Sequence, residues 1–149
     1  MKFDIEKLGN LSTINISKNS SSTCIINLSD SSKLEKTSSD LKHMGFDMLQ
    51  SITGCDYVSY IDLTYHFYST EFSKKLILKT KVYNDINKVQ TLSFLYKSAI
   101  WLEREVFDLL GIKFENHPDL RRILLPESFE GFPLKKNYIQ KDSRLRWNK

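Results

Sequence analysis

The pattern of hydrophobic and polar positions changes several times along the chain and predicts both strands and helices. Two β-branched clusters, "STINIS" and "TCIINL", lie within residues 11–28 and indicate two short strands around a polar turn. The run "YVSYIDLTYHFYS" alternates between apolar and polar residues, and a second alternating run follows "TEFSKK". These two runs predict an antiparallel hairpin with one face that is either solvated or covered by a partner. The predicted inner positions are Ile61, Leu63, Tyr65, Phe67, Leu76, Leu78 and Val82.

Two segments show the spacing of amphipathic helices. Residues 38–53 carry one apolar stripe, and Gly54 follows at the stop position. The members of that stripe are Leu41, Met44, Met48, Leu49 and Ile52. The stretch "AIWLEREVFDLLG" predicts a second helix that ends at Gly111, with Arg104 and Asp108 placed to form an i, i+4 ion pair. Its predicted inner stripe is Ala99, Leu102, Val106 and Leu109. Residues 89–96 fit either a strand or a short turn.

Beyond Gly111 the pattern becomes irregular. "IKF" predicts a short strand, and "DLRRIL" predicts a short helix with Pro118 in its first turn and His117 or a neighbour as its cap. "PESFEGFPLKKNY" has too many prolines and glycines for regular structure, so we expect it to run extended over a surface, anchored by Phe129, Phe132 and Tyr138. The whole pattern predicts a two-layer α+β fold, with a mainly antiparallel or mixed sheet packed against helices. We expect residues 1–116 to form the core domain and residues 117–149 to form a partner-docking extension.

Composition limits the class of protein. With 149 residues, of which 40% are hydrophobic, we expect one domain with an ordinary core. No window approaches the roughly 18 apolar residues of a membrane helix. The opening "MKFDIEKLGN" lacks a secretory or transit pattern. If the protein works inside an organelle, we therefore expect that it is made there or that its presequence is missing.

The basic charge is concentrated at one end. Residues 134–149 contain six basic residues and one acid, or +5, so the rest of the +4 chain sums to −1. Such a tail suits phosphates or an acidic protein surface. Alanine occurs once, which indicates drift towards A/T-rich codons, yet all five arginines lie in the last third. Because the guanidinium makes planar contacts that lysine cannot copy, we expect specific geometry in that third.

Candidate catalytic chemistry is sparse. Glu103 and Glu105 point to different faces of the predicted helix, which disfavours a carboxylate active site. His117 and Asp119 lack a matching nucleophile, so a cap or a buried hydrogen-bond partner is the better interpretation of this histidine. Cys24 and Cys55 lack metal-ligand spacing and are expected to be reduced, and no phosphate loop or cluster motif is present. We predict no catalytic, cofactor-binding or metal-binding residue.

A nucleic-acid-binding domain is the rival class. Arg121, Arg122 and the basic tail favour it, but acidic residues bracket the two arginines and would repel a phosphate backbone. Those acids are Glu115, Asp119, Glu127 and Glu130. A protein surface fits the mixture better.

Residues 101–138, "WLEREVFDLLGIKFENHPDLRRILLPESFEGFPLKKNY", closely resemble the signature of one respiratory complex I subunit, which carries the letter C in bacteria and the number 9 in mitochondrial genomes. "FDMLQSITGCDY" and "LTYHFYS" also resemble parts of that family. Lys135, Asn137 and Phe129 depart from the usual pattern, which has Arg, Asp and Trp. The positions that match are Glu103, Arg104, Glu105, Asp108, Gly111, His117, Pro118, Asp119, Leu120, Arg121, Arg122, Gly131, Pro133 and Leu134.

The resemblance implies a non-catalytic peripheral-arm subunit that binds no flavin, iron–sulfur cluster or quinone itself. The complex passes electrons from NADH through FMN and iron–sulfur clusters to ubiquinone and couples this to proton translocation. The implied partner is the hydrogenase-like quinone-pocket subunit, and the implied place is the matrix side of the mitochondrial inner membrane. The codon drift and the missing presequence favour a gene in the organelle. Chloroplast-type and group-4 hydrogenase complexes share the signature and remain alternatives. The predicted partner-docking residues are Arg104, Arg121, Arg122, Phe132 and Tyr138.

Overall fold

The computed structural model describes residues 14–18 and 23–139, and its centre is a five-stranded mixed sheet. The strands are β1 (Ile14–Lys18), β2 (Cys24–Leu28), β3 (Met48–Asp56), β4 (Tyr60–Ser69) and β5 (Lys74–Tyr83). They lie in the order β1-β2-β5-β4-β3. β2 runs parallel to β5, and the other neighbours are antiparallel. The α+β class and the two short N-terminal strands are confirmed.

The predicted hairpin is confirmed as β4 and β5. Its register runs from Tyr60 opposite Tyr83 to Ser69 opposite Lys74. All seven predicted inner positions are at most 1% exposed. Because full burial of one such side chain contributes about 1.5–3 kcal/mol, this apolar row is a main source of stability.

Two helices cover one face of the sheet. Helix α1 (Leu34–His43), which follows a 3₁₀ turn at Ser31–Lys33, buries Leu34 and Leu41 completely. Helix α2 (Ala99–Leu110) lies so close to β3 that a Cβ at Gly54 would overlap Leu110. The predicted end of this helix is confirmed at Gly111, whose φ of +75° suits glycine.

The helix predicted for residues 38–53 is wrong in its second half. Helix α1 ends at His43, Gly45 adopts φ +94°, and β3 begins at Met48. The register of β3 shifts between Leu49 and Ser51, so Gln50 is an extra residue in a β-bulge. The bulge places Leu49 and Ile52, three positions apart, on the same buried face. Strand residues with a bulge therefore imitated the spacing of a helix.

A second, two-stranded sheet flanks the core. Strand β6 (Lys88–Gln90) runs parallel to β7 (Lys113–Glu115), and their central residues Val89 and Phe114 are buried. The predicted "IKF" strand is confirmed, and the open question at residues 89–96 resolves into a short strand followed by turns. Within the described residues, neither helix combines the length and apolar character that crossing a membrane requires.

Candidate partner-docking segment

Helix α2 places three charged residues in the interior: Glu103, Arg104 and Asp108 are each at most 5% exposed. Part of the predicted inner stripe is correct, since Ala99 and Val106 are buried, but Leu102 and Leu109 are only partly so. The predicted ion pair between Arg104 and Asp108 is wrong. Both side chains instead bind residues 117–139, which we call the C-terminal segment.

Asp108 binds the backbone of three consecutive residues. Its Oδ2 accepts hydrogen bonds from the N–H groups of Ile123, Leu124 and Leu125 at 3.1, 2.8 and 2.9 Å, and its Oδ1 accepts one from Arg122 at 2.6 Å. Burial raises the pKa of the Asp108 carboxyl, but these hydrogen bonds outweigh the burial and hold the pKa below its ordinary value. Asp108 is therefore a buried carboxylate whose charge is matched.

Arg122 connects Asp108 of helix α2 to a later part of the C-terminal segment. Its Nη1 donates to the carboxylate and to the backbone carbonyl of Asp108, at 2.6 and 3.2 Å. Its Nη2 donates to the carbonyls of Phe129 and Gly131, both at 3.0 Å. The guanidinium also lies 5.4 Å from the ring centre of Phe132. Only a planar fork with several donors reaches all these oxygens at once, so lysine would not replace it.

Arg104 supports the start of the C-terminal segment. Its Nε and Nη2 donate to the carbonyls of Arg121 and Arg122, both at 3.0 Å, and its Nη1 lies 3.7 Å from Asp119. The guanidinium also packs 5.0 Å from the ring centre of Trp101. Arg104 thus fixes the chain just before the three N–H groups that Asp108 binds.

These contacts explain why the helix predicted at "DLRRIL" is wrong. The C-terminal segment contains neither helix nor strand. The carbonyls of Arg121 and Arg122 bind Arg104, and the next three N–H groups bind Asp108, so side chains replace the partners that a helix would supply. The prediction that "PESFEGFPLKKNY" lies irregularly over a surface is confirmed, and that surface is the chain's own core.

Two aromatic contacts hold the end of the segment. Phe132 packs so closely on Gly111 that a Cβ there would lie 2.7 Å from the ring, and its ring centre is 6.3 Å from that of Phe107. Tyr138 stacks on Phe129 at 6.0 Å and packs against Gly131. Phe132 therefore anchors the segment on helix α2, whereas Phe129 and Tyr138 pack on each other within the segment.

A second carboxylate ties the segment to the far end of the sheet. Asp56, 6% exposed, accepts hydrogen bonds from the N–H groups of Val58 and Lys136, both at 2.8 Å. One side chain therefore joins the β3–β4 turn to the C-terminal segment. The sequence pattern did not single out Asp56, because its partner lies 80 positions away.

Of the five predicted docking residues, the structure turns Arg104 and Arg122 inward and leaves Phe132 and Tyr138 partly exposed. Arg121 points outward, with 67% of its side chain exposed and its Nε bonded to Asp119 at 3.0 Å. Four apolar residues of the same segment are also exposed. They are Ile123, Leu124, Leu134 and Ile139. We call these four residues and Arg121 the outer row.

The apolar run at 123–125 is partly exposed and lies outside any helix. The sequence pattern had predicted a helix there and did not predict this exposure. A signal was present, since an apolar run in a short stretch bounded by two prolines is unusual for a solvated loop. Leu124 is 60% and Leu134 55% exposed. An apolar row on a fixed backbone is a typical contact surface for another protein.

Glu103 and His117 form a buried polar group beneath the start of the segment. Burial raises the pKa of Glu103 to about 7, against hydrogen bonds from the Thr91 hydroxyl and the Leu92 N–H. His117 accepts from the Asp119 N–H at Nδ1, so its Nε2 donates to the Ile100 carbonyl at 3.1 Å. Burial lowers the pKa of His117, which favours this neutral form. His117 is therefore a buried hydrogen-bond partner, one of the two interpretations that its sequence allowed.

Among the residues that the structure describes, no cluster of three or more His, Cys, Asp or Glu side chains could hold a metal ion. Cys24 is buried and Cys55 exposed, and neither is in a disulfide. Glu105 is exposed while Glu103 is buried, so the two acids face opposite sides of α2, as predicted.

The fold and site define an α+β protein whose C-terminal segment is fixed on its core by buried charged side chains. Residues 28–144 match the family described as "Respiratory-chain NADH dehydrogenase, 30 Kd subunit", and the chain belongs to this family. The family resemblance of the C-terminal motif is thereby confirmed.

Individual relatives agree with the family. The chain is 43% identical over 97 residues to the NADH-quinone oxidoreductase subunit of Trichlorobacter lovleyi that carries the letter C, covering 62% of this chain and 60% of that protein. It is 40% identical over 96 residues to NADH dehydrogenase [ubiquinone] iron-sulfur protein 3 of Beta trigyna, covering 62% and 50%. The solved trypsin-resistant fragment (1-134) of Nqo5 superposes with a TM-score of 0.70 at 27% identity, covering 78% of this chain and 96% of the fragment. The chain thus spans about 50–60% of the length of these two curated relatives.

Proposed function

We propose that this chain is a non-catalytic structural and assembly subunit of the peripheral arm of complex I. It supports electron transfer from NADH to ubiquinone, coupled to proton translocation, by docking on the hydrogenase-like quinone-pocket subunit. NADH, FMN, the iron–sulfur clusters and ubiquinone are bound by other subunits. Family membership supports the complex, and the geometry of the C-terminal segment supports the docking role.

The observation that carries the docking role is the outer row on its fixed backbone. Arg104, Asp108 and Arg122 direct their polar groups inward, onto the backbone of the segment. The same bonds turn Leu124 and Arg121 outward. Interfaces combine apolar contacts with arginine, and the outer row combines four exposed apolar side chains with Arg121. The inward residues would act as positioning residues and the outer row as the contact itself.

The test is a double variant, Leu124→Asp with Arg121→Ala, in the full chain. We expect recovery of assembled complex to fall at least about tenfold, equivalent to ~1.4 kcal/mol of binding, because a charge replaces an apolar contact. NADH:ubiquinone turnover per assembled complex should stay near the wild-type value. Native-gel sizing with mass spectrometry of co-migrating chains measures the first quantity, and activity per complex measures the second.

The matched control is Phe94→Asp, which places the same charge on an exposed apolar residue outside the segment. It should leave assembly unchanged. Normal assembly of the double variant with reduced turnover would contradict the docking role and favour a direct effect near the quinone. Binding of the isolated chain to DNA or RNA, with steep salt dependence, would favour the nucleic-acid class instead.

We further propose that the complex is that of the mitochondrial inner membrane, with this subunit on the matrix side and its gene in the organelle. The A/T-codon composition supports this, and the bacterial and plant relatives fit equally well. Locating the reading frame on a mitochondrial genome would establish it. The co-migrating chains would also separate this complex from a chloroplast-type or hydrogenase assembly.

A further inference from the structure

The five-stranded sheet has one face that the described helices leave uncovered. Its register puts the even-numbered residues of β4 and the odd-numbered residues of β5 on that side, in five pairs from Tyr60–Tyr83 to Tyr68–Lys75. The alternate residues face the helices and are buried. We call these five pairs, with the adjoining Ile25 of β2, the open face.

The open face carries apolar and aromatic side chains, with Tyr60 and Tyr83 at one end of the five pairs and Ile77 and Tyr68 towards the other. Ile77 lies beside Ile25 in the sheet, and both are only half-buried. Tyr60 stacks on Tyr57 at 5.1 Å and lies 6.1 Å from Tyr83, which is 48% exposed. Solvated faces of antiparallel sheets are usually polar, so these tyrosines and isoleucines on the outer side of three strands make the open face a candidate contact surface.

The charged residues of the open face are mostly basic, and two of the lysines lie between Ile77 and Tyr83. Lys75, Lys79 and Lys81 project from β5, and Asp62, opposite Lys81, is the single acid among the five pairs. The excess of positive charge affects His66, whose pKa is lowered by burial and further by Lys79 and Lys75. A face on which lysines lie between apolar and aromatic side chains is complementary to an acidic partner that also has an apolar stripe.

We propose that the open face is a second docking surface, separate from the outer row, for an acidic amphipathic helix of another protein chain. The apolar part of a sheet face is stabilised by packing against another element of secondary structure. From Lys75 to Lys81 the strand spans six residues, or roughly 20 Å. A helix of about 13 residues covers that length, with its apolar stripe on the tyrosines and its acids beside the lysines.

The rings themselves favour a protein over RNA. Single-stranded RNA binds sheets by stacking bases on exposed aromatic faces. Here the ring of Tyr60 already contacts Tyr57, and the Lys81 ammonium lies 4.6 Å from its centre. The Tyr60 ring is therefore engaged within the chain and is less available to stack on a base, whereas the lysines of the face can contact carboxylates.

The experiment is hydroxyl-radical footprinting of Tyr68 and Tyr83 in the isolated full chain and in the assembly recovered through a tag on it. Loss of most labelling in the assembly is expected. Lys75→Glu, Lys79→Glu and Lys81→Glu together should restore the labelling, because the charges become repulsive. The control carries Lys36→Glu, Lys97→Glu and Lys113→Glu, which make the same charge change at exposed sites away from the open face, and should keep the protection.

A photo-crosslinking amino acid in place of Ile77 identifies what covers the face. The expected product links position 77 to a helical, acidic segment of a different protein chain. A link to RNA, to a basic segment or to a second copy of this chain would overturn the proposal, as would protection that survives the charge reversal. Recovery in an assembly with both tyrosines fully labelled would overturn this surface alone. Recovery of the chain by itself would contradict the proposed function as well.

Discussion

The β4–β5 hairpin and the C-terminal segment are held in shape by different means. The hairpin has a continuous backbone ladder over a buried apolar row. The segment has neither helix nor strand, and three side chains on α2 and within the segment supply its main contacts. The comparison shows that one chain can use burial to fix a core and a few charged groups to fix a surface. It also predicts that damage to the two regions will differ in extent.

The largest expected effect is in the hairpin. Phe67→Ala removes a fully buried ring next to Tyr65 and Tyr96 and should destabilise the whole chain by about 3–5 kcal/mol. Urea unfolding of the full chain measures the loss, which should appear as one cooperative transition. If only the C-terminal segment became accessible to protease while the core kept its stability, the claim that burial in the hairpin stabilises the whole chain would be contradicted.

A somewhat smaller and more local effect is expected for Arg122→Ala. It leaves the buried Asp108 carboxylate without its cation and frees two carbonyls, at a cost of about 2–4 kcal/mol. Hydrogen exchange should rise first in residues 117–139, before the hairpin opens. Arg121→Ala is the matched control, and because its side chain is exposed, it should change stability by less than about 0.5 kcal/mol. Equal effects of the two substitutions would contradict the inward role of Arg122.

The smallest effect concerns pH. Because the pKa of Glu103 is raised from 4.5 to about 7 in the folded chain, the folded state holds a proton that the unfolded state has lost between those values. Its contribution to stability is therefore complete below pH 4.5 and declines as pH rises to about 7. Glu103→Gln keeps polar groups for Thr91 and Leu92 but does not titrate. In unfolding measurements, the stability of the variant relative to the wild type should rise by up to about 3 kcal/mol between pH 4.5 and pH 8. If the difference in unfolding free energy between the variant and the wild type did not change with pH, Glu103 would not be a buried, protonated carboxyl.

The hairpin was predictable because strict alternation fixes which side of a strand faces the core. The same reasoning failed at β3, where the extra residue Gln50 gave Leu49 and Ile52 a helical spacing. In the C-terminal segment, the concentration of arginines predicted correctly that specific contacts lie there, but not which groups the arginines bind. Arg104 and Asp108 are ideally spaced for each other on a helix, and only the folded chain shows that backbone groups 15–18 positions away bind both side chains instead.

The loop between Asp108 and Gly131 has a consequence for assembly. Since Asp108 and Arg122 immobilise the backbone before any partner arrives, the entropy of ordering this loop is lost during folding and not during association. Contact with a neighbour then resembles rigid-body docking, and most of the apolar area covered by that contact contributes directly to affinity. Preorganisation of this kind makes a small interface tighter than its area alone would suggest.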